Sequence, residues 1–227
     1  MKRSNKLDKA SELLIAHSYA YTRRVYGEFG RLPLPYHNHL HTLDVVAAAS
    51  SLGELAMTKG KISPTELAIL QIAAAGHDLV HDMAGNGVNE QQSAKKIAKW
   101  MIKQTPDVFK KPLVSRVENI IMATVCGVNQ HGFWQSAGED YLGQLMCDAD
   151  VSAAGLPPEE SKVRSDRLYS ESLNGEQPGP ENRLVFLQNQ VVFYSTHNWY
   201  TEEAEVLLPY QERNLHMTLA EIETLQA

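Results

Sequence analysis

The stretch from Ser63 to Asp82, SPTELAILQIAAAGHDLVHD, constrains the chain more than any other. Ser63 is placed to cap a helix, Pro64 fits the first helical position, and Glu66 completes a capping box three residues after the serine. Leu67, Ile69, Leu70, Ile72 and Ala73 to Ala75 follow without a polar face, so the helix has to be buried by others. It runs directly into His77, Asp78, His81 and Asp82. A rigid, buried element therefore delivers adjacent imidazole and carboxylate groups at its end.

The rest of the chain supplies the partners such a helix needs. Period-3.6 patterns predict helices over roughly 7–29, 41–58, 89–103, 113–125, 141–150, 158–172, 182–200 and 202–224, with Pro209 interrupting or kinking the last. Alternating strand patterns of useful length are missing, and Val45-Val46 and Val191-Val192 fall within helical periodicity. The expectation is an all-α fold, a single helical bundle spanning 1–227, with an N-terminal helix near 7–29, a core over 30–200 and a C-terminal helix near 202–226. Two breaks, the Gly-rich and polar 127–140 and the Gly- and Pro-rich 174–181, read as loops, candidates for the rim of a site. The 227 residues, 43% of them hydrophobic, suffice for one substantial core.

Charge and cysteine usage narrow the function classes. A formal net charge of −6 argues against a nucleic-acid-binding surface and requires local charge or a metal to hold any phosphate-bearing ligand. Cys126 and Cys147 form neither a CxxC pair nor a disulfide framework, and their contexts read as buried helix faces in a reducing cytoplasm. No window reads as a membrane span, and the N-terminal MKRSNKLDKASELL lacks the apolar core of an export signal. The expectation is a cytoplasmic protein with no membrane partner.

Three clusters can carry chemistry. In PYHNHLHTLDVV, His37 and His41 lie one helical turn apart on one face, and His39 points away. Asn38 stands where a zinc-protease HExxH needs glutamate, which removes that reading. In AAAGHDLVHD, His77 and Asp78 suit a first-row divalent ion if both turn inward. The plain alternative is a helix C-terminus whose histidines complement the dipole, with Asp82 solvated. In LMCDADVSAAG, Asp148 and Asp150 follow apolar residues, and a metal offsets the penalty of burying a carboxylate. Two residues apart on a helix, they cannot share a face, so at most one is a ligand.

Histidine, His-Asp and a distant aspartate, in this order on a helical chain, resemble the HD-domain superfamily of metal-dependent phosphohydrolases, over roughly 30–200. The resemblance implies His41, His77, Asp78 and Asp150 as metal ligands, Asp150 being preferred over Asp148 because ADVS is similar to the family's A-D-[LV]-S. Within the superfamily the chain resembles class I cyclic-nucleotide phosphodiesterases. Their Y-H-N-x-x-H-x-x-D-V signature is similar to Tyr36 through Val45, and their H-D-x-x-H to His77 through His81. The I-x-A-T helix is similar to 120–124. The resemblance implies His37 as proton donor to a leaving alkoxide, Asp78 as a bridge between two ions if two are present, and His81 as holder of water at the second. Asn89, Gln190 and Phe193 match a family asparagine, a base-binding glutamine and a purine-stacking phenylalanine. The segment after His81, DMAGNGVNEQQSA, departs from the family's H-P-G-x-x-N.

These readings imply a phosphohydrolase acting on a small phosphoester, a nucleotide or cyclic nucleotide, through one or two divalent ions (Mg, Mn, Fe, Co or Zn). An HD-type di-iron oxygenase and a non-catalytic nucleotide-binding protein are the alternatives. His131 is a further candidate ligand or a solvated loop residue. His17, His197 and His216 read as surface or structural. Phe133 and Trp134 form a pocket wall or anchor their loop, and Lys95, Lys96 and Arg116 lie near the motifs in sequence.

Overall fold

The computed structural model describes residues 2–81, 85 and 87–227, with backbone alone for 2–5; Asp82 lies outside the described residues. The described chain forms ten α-helices, a 3-10 turn and one small hairpin. The helices are α1 (Lys2–Tyr26), α2 (His39–Thr58), α3 (Pro64–Gly76), α4 (Val88–Gln104), α5 (Lys111–Ala123), α6 (Tyr141–Asp150), α7 (Pro158–Ser172), α8 (Pro180–Thr196), α9 (Glu202–Leu207) and α10 (Gln211–Gln226). The 3-10 turn covers Ser152–Gly155.

The expected all-α class is what the chain adopts. Helix α3 is its hub: the Ser63 hydroxyl accepts from the Glu66 amide, the Glu66 carboxylate accepts from the Ser63 amide, and every residue from Ala68 to Gly76 except Gln71 is buried. Helices α1, α2, α5 and α6 pack around it. Their shared core includes Leu14, Leu52, Leu70, Ile72, Ile97, Ile120, Leu142 and Leu145, so the helix most apolar in sequence is the most enclosed. At Gly76 a Cβ would lie 3.0 Å from Ile97 Cγ1, so glycine lets α4 approach closely behind His77.

Three expectations need correction. The 127–140 break is not plain loop: β1 (Cys126–Asn129) and β2 (Gly132–Gln135) pair antiparallel, Cys126 opposite Gln135 and Asn129 opposite Gly132. Its turn is fixed by the Asn129 side chain, which accepts from the His131 amide at 2.7 Å. Cys126 accordingly sits exposed on a strand and not on a buried helix face; Cys147 is buried in α6, and both thiols are free. Helix α8 stops at Thr196, short of Tyr200, because the amides of Tyr200 and Thr201 donate to the Asp148 carboxylate at 2.9 and 3.0 Å. Pro209 does divide the last helical stretch, separating α9 from α10. Among the described residues, no helix is long and apolar enough to cross a membrane.

Helix α9 is tied back to the bundle through Glu203, whose side chain is fully buried. It takes a hydrogen bond from the Tyr141 hydroxyl at 2.5 Å and ion pairs from Lys59 at 2.9 Å and Lys61 at 3.2 Å. Burial opposes its ionisation, but the Tyr141 hydroxyl and the two ammonium groups hold its pKa down at about 2. Glu203→Gln is expected to lower stability at neutral pH by about 1–3 kcal/mol, less than for a fully enclosed pair because both lysines are partly solvated. A carboxyl with a depressed folded-state pKa contributes above its unfolded value of 4.5 and loses that contribution as pH falls toward about 2. Urea unfolding over that range should show the parent and variant converging.

Candidate metal centre

Four side chains from three separate segments converge at the mouth of the bundle. His41 lies in the first turn of α2, where Asn38 caps the helix by accepting from the Leu40 amide at 2.8 Å. His77 and Asp78 leave the end of α3, and Asp150 is the last residue of α6. His77 Nε2 stands 3.2 Å from both Asp78 Oδ2 and Asp150 Oδ1; His41 Nε2 stands 3.5 Å from the same two oxygens. The two Nε2 atoms are 3.4 Å apart. Ligand atoms about 2.0–2.2 Å from one ion lie about 3–3.6 Å from one another, and the distances of each imidazole to the other and to both carboxylates have that spacing.

The tautomer agrees with that use. Ala74 O can only accept, so His77 Nδ1 donates to it at 2.8 Å and leaves Nε2 for the cluster. Burial disfavours charge on His77, but Asp78 and Asp150 outweigh it and raise its pKa well above 6.5. Burial likewise raises the pKa of both aspartates, while His77 and its neighbours reverse the effect, holding Asp78 well below the carboxylate range and Asp150 at about 2. A proton on His77 balances part of this charge. A divalent ion does so more fully, because it also occupies the lone pair of His41. His41, His77 and Asp150 can thus hold a metal ion.

A second group adjoins the first through Asp78. His37, Asp78 and His81 also present mutually close donor atoms. Asp78 Oδ1 lies 3.6 Å from His81 Nδ1, too far for a hydrogen bond, and that buried nitrogen has no hydrogen-bond partner. The two oxygens of one carboxylate thus face two separate donor sets. The His37 and His81 rings stack at 3.8 Å.

Glu171, on α7, is the site residue that sequence reading missed. It accepts from the amides of Tyr36 and His37 at 2.8 and 2.9 Å and pairs with His37 Nδ1. Burial raises its pKa, yet the hydrogen bond from His37 brings it down to about 2, so the carboxylate accepts and Nδ1 donates. Burial pushes the His37 pKa below 6.5, with Glu171 opposing. Glu171 lies 134 residues from its partner in a polar helix, SDRLYSESLN, and carries no local signal that sets it apart from a solvated glutamate.

A cavity of about 320 Å³ opens beside the cluster, lined among others by His37, His41, Asp150, Phe133, Gln190 and Phe193. The volume suits a small molecule. Gln190 and Phe193 both lie on α8, and Phe193 meets Phe133 of the hairpin edge-on at 4.8 Å. Behind it, buried His197 stacks on Phe193 at 5.1 Å, and burial lowers its pKa to about 4. Other candidates fall elsewhere. Asn89 sits in the first turn of α4, outside the lining of this cavity. His131 is exposed at the hairpin tip, where Gln130 meets it. His39 packs against Tyr19, His17 against Trp100, and His216 is exposed. Arg116 is engaged by Asp140 at 2.7 Å. Asp148 is fully buried and faces away, accepting from the Thr201 hydroxyl at 2.6 Å as well as from the two amides.

No protein-family model matches the sequence, and no curated protein matches it either.

The two aspartates of DAD should therefore separate cleanly on substitution. Asp150→Asn is expected to reduce metal retention at least about tenfold with little loss of stability. Asp148→Asn should keep the metal and lose about 1–3 kcal/mol, because an NH2 then replaces an oxygen that accepts from at least one backbone amide. Elemental analysis and thermal melts on both variants check the pair.

Proposed function

We propose that this chain is an HD-type metal-dependent phosphohydrolase acting on a small phosphoester, a nucleotide or cyclic nucleotide. The observation that carries the reading is the convergence of His41, His77, Asp78 and Asp150 beside a ligand-sized cavity, with the Glu171-held His37 on the same wall. The four residues would hold a divalent ion, which would lower the pKa of a bound water and screen phosphoryl charge in a protein whose net charge is −6.

The chain's own residues supply the rest. Glu171 fixes the His37 ring by accepting from Nδ1, so the proton available for transfer is the one on Nε2. His37 acts as general acid toward the departing oxygen, and Glu171 favours the protonated imidazole that this role needs. Tyr36, whose ring packs on His41 at 4.6 Å, stays a neutral phenol, because burial and then Asp150 raise its pKa. Gln190 and Phe193 face the same cavity, where an amide and a ring suit a nucleobase: Gln190 by hydrogen bonding and Phe193 by stacking.

The second donor group, His37, Asp78 and His81, favours a second reading in which these residues would hold a second ion, with His37 as one of its ligands. A two-iron form of that arrangement is the HD-type oxygenase alternative. A phosphoester panel with Mg, Mn, Fe, Co and Zn, beside iron-loaded protein under air, separates them. Phosphate release supports hydrolysis; an iron-dependent optical signal without phosphate release supports the oxygenase, and nucleotide binding without turnover supports the non-catalytic alternative.

Asp78→Ala is expected to lose metal and activity, and full activity in that variant would sink the mechanism. His37→Ala should keep the first ion and lose about 10²–10⁴-fold in rate on alkyl phosphoesters, far less on a nitrophenyl ester that leaves unaided. Loss of metal from His37→Ala would mark it as a ligand. Gln190→Ala should narrow discrimination among nucleobases at unchanged metal content.

A further inference from the structure

A second cavity adjoins the Leu79–His81 segment and is lined by none of the metal-centre residues. It measures about 350 Å³ and is lined by Tyr21, Tyr26, Arg31, Val80, Gln92, Lys95, Lys96 and Lys99. Four of its lining residues are cationic, and no acidic side chain lines it among the described residues. From this concave cluster of cations we infer a binding site for a small soluble molecule that carries two or more adjoining phosphate groups.

The arrangement is unfavourable without such a ligand. On α4, Gln92, Lys95, Lys96 and Lys99 recur at spacings of three and four, so they share one helix face. Lys95 and Lys99 are an i, i+4 pair of like charges, which destabilises a helix. Arg31 faces them from the turn after α1. Among the described residues, the side chains of Arg31 and Lys99 have no hydrogen-bond, ion-pair or ring partner. Lys95 donates to Gln91 Oε1 at 3.1 Å; Lys96 donates to the Tyr21 hydroxyl and to Leu79 O, and lies over the Tyr21 ring at 4.2 Å.

The chemistry selects the ligand class. Lysines act as point charges toward phosphate, and the planar arginine fork takes two oxygens at once. One phosphate dianion would leave about half of a fourfold positive charge unbalanced, whereas adjoining phosphates match it. The site is a cavity between α1 and α4, and the chain's net charge of −6 repels an extended polyanion or an anionic membrane surface. A compact ligand experiences mainly the local cations.

The site also touches the segment that bears the metal cluster. Val80 lines the cavity, Lys96 meets Leu79 O, and the Tyr26 hydroxyl accepts from the His81 amide at 3.0 Å. The inference does not depend on the phosphohydrolase reading, because none of these lining residues belongs to the proposed ligand set.

Calorimetric titration with inorganic tripolyphosphate, in EDTA so that the metal centre contributes nothing, tests it. The parent chain and Asp78→Ala are expected to bind with affinities within about twofold of each other. Lys95→Gln/Lys99→Gln should bind at least about tenfold more weakly, and the affinity of the parent should fall steeply with salt. Both substituted lysines are exposed, and removing their repulsion should leave the melting temperature unchanged or raised, so lost binding would not reflect unfolding. Equal binding by the lysine variant, or binding lost only in Asp78→Ala, would overturn the site. Vesicles containing phosphatidylinositol bisphosphate are expected not to retain the protein; retention on vesicles without tripolyphosphate binding would assign the cations to a lipid headgroup and overturn the inference.

Discussion

Two carboxylates, each standing 3.2–3.5 Å from two imidazoles, are the constraint on which the arrangement depends. Such a set is unstable by itself: burial raises the energy of every charge, and two aspartates repel. It persists only where the backbone leaves the side chains no alternative. Helix α3 provides that rigidity, because it is apolar on nearly every face and is enclosed by α1, α2, α5 and α6. His77 is fixed by its own helix through Ala74 O, and Gly76 lets Ile97 close over the back. The energetic expense of clustering charge is thus carried by the most thoroughly packed element of the fold.

The residues of the cluster were legible in sequence through the order of their motifs and the resemblance that order carries, since each local context alone also admits a plain reading. His77 and Asp78 follow a capped, apolar helix; Asp150 ends another; His41 lies in the first turn of α2, four residues after His37, which precedes the helix. Asp148 shows the limit of such reading. Helical geometry separates it from Asp150, but solvent exposure was the expected alternative for an aspartate outside the cluster. Instead it is fully buried and organises the chain 52 residues later, where it captures two amides and a hydroxyl. Nothing near Asp148 encodes that partner. Glu171 was invisible for the same reason, since what distinguishes it is only the turn from Tyr36 to His37 that it receives across the fold.

The hairpin escaped for a different reason. Four residues per strand permit barely two alternations, and three glycines within 127–138 read as breaks. Its stability comes from outside: the Phe133 amide donates to the Thr196 hydroxyl at 3.0 Å, and the Phe133 ring packs on Phe193. A Cβ on Gly132 would collide with Thr196 at 2.3 Å, so the contact is built for glycine. Tertiary contact, not strand propensity, makes these residues a strand pair.

The cavity wall therefore has two origins. His41 and Asp150 come from helices packed into the central core, whereas Phe133, Arg164, Gln190 and Phe193 come from the hairpin, α7 and α8, which lie largely outside it. Glu171 bridges the halves, joining α7 to the turn before α2. Asp44 and Arg164 do the same through two bonds of 2.9 Å. These links hold the outer wall in register with the cluster without contributing a ligand atom to His41, His77 or Asp150. Residues at the outer wall can consequently change what the cavity accepts while the charged cluster and the core that enforces it stay intact. The reverse does not hold, since displacing α3 would move His77, Asp78 and the backbone of Leu79 to His81 together, and with it both cavities.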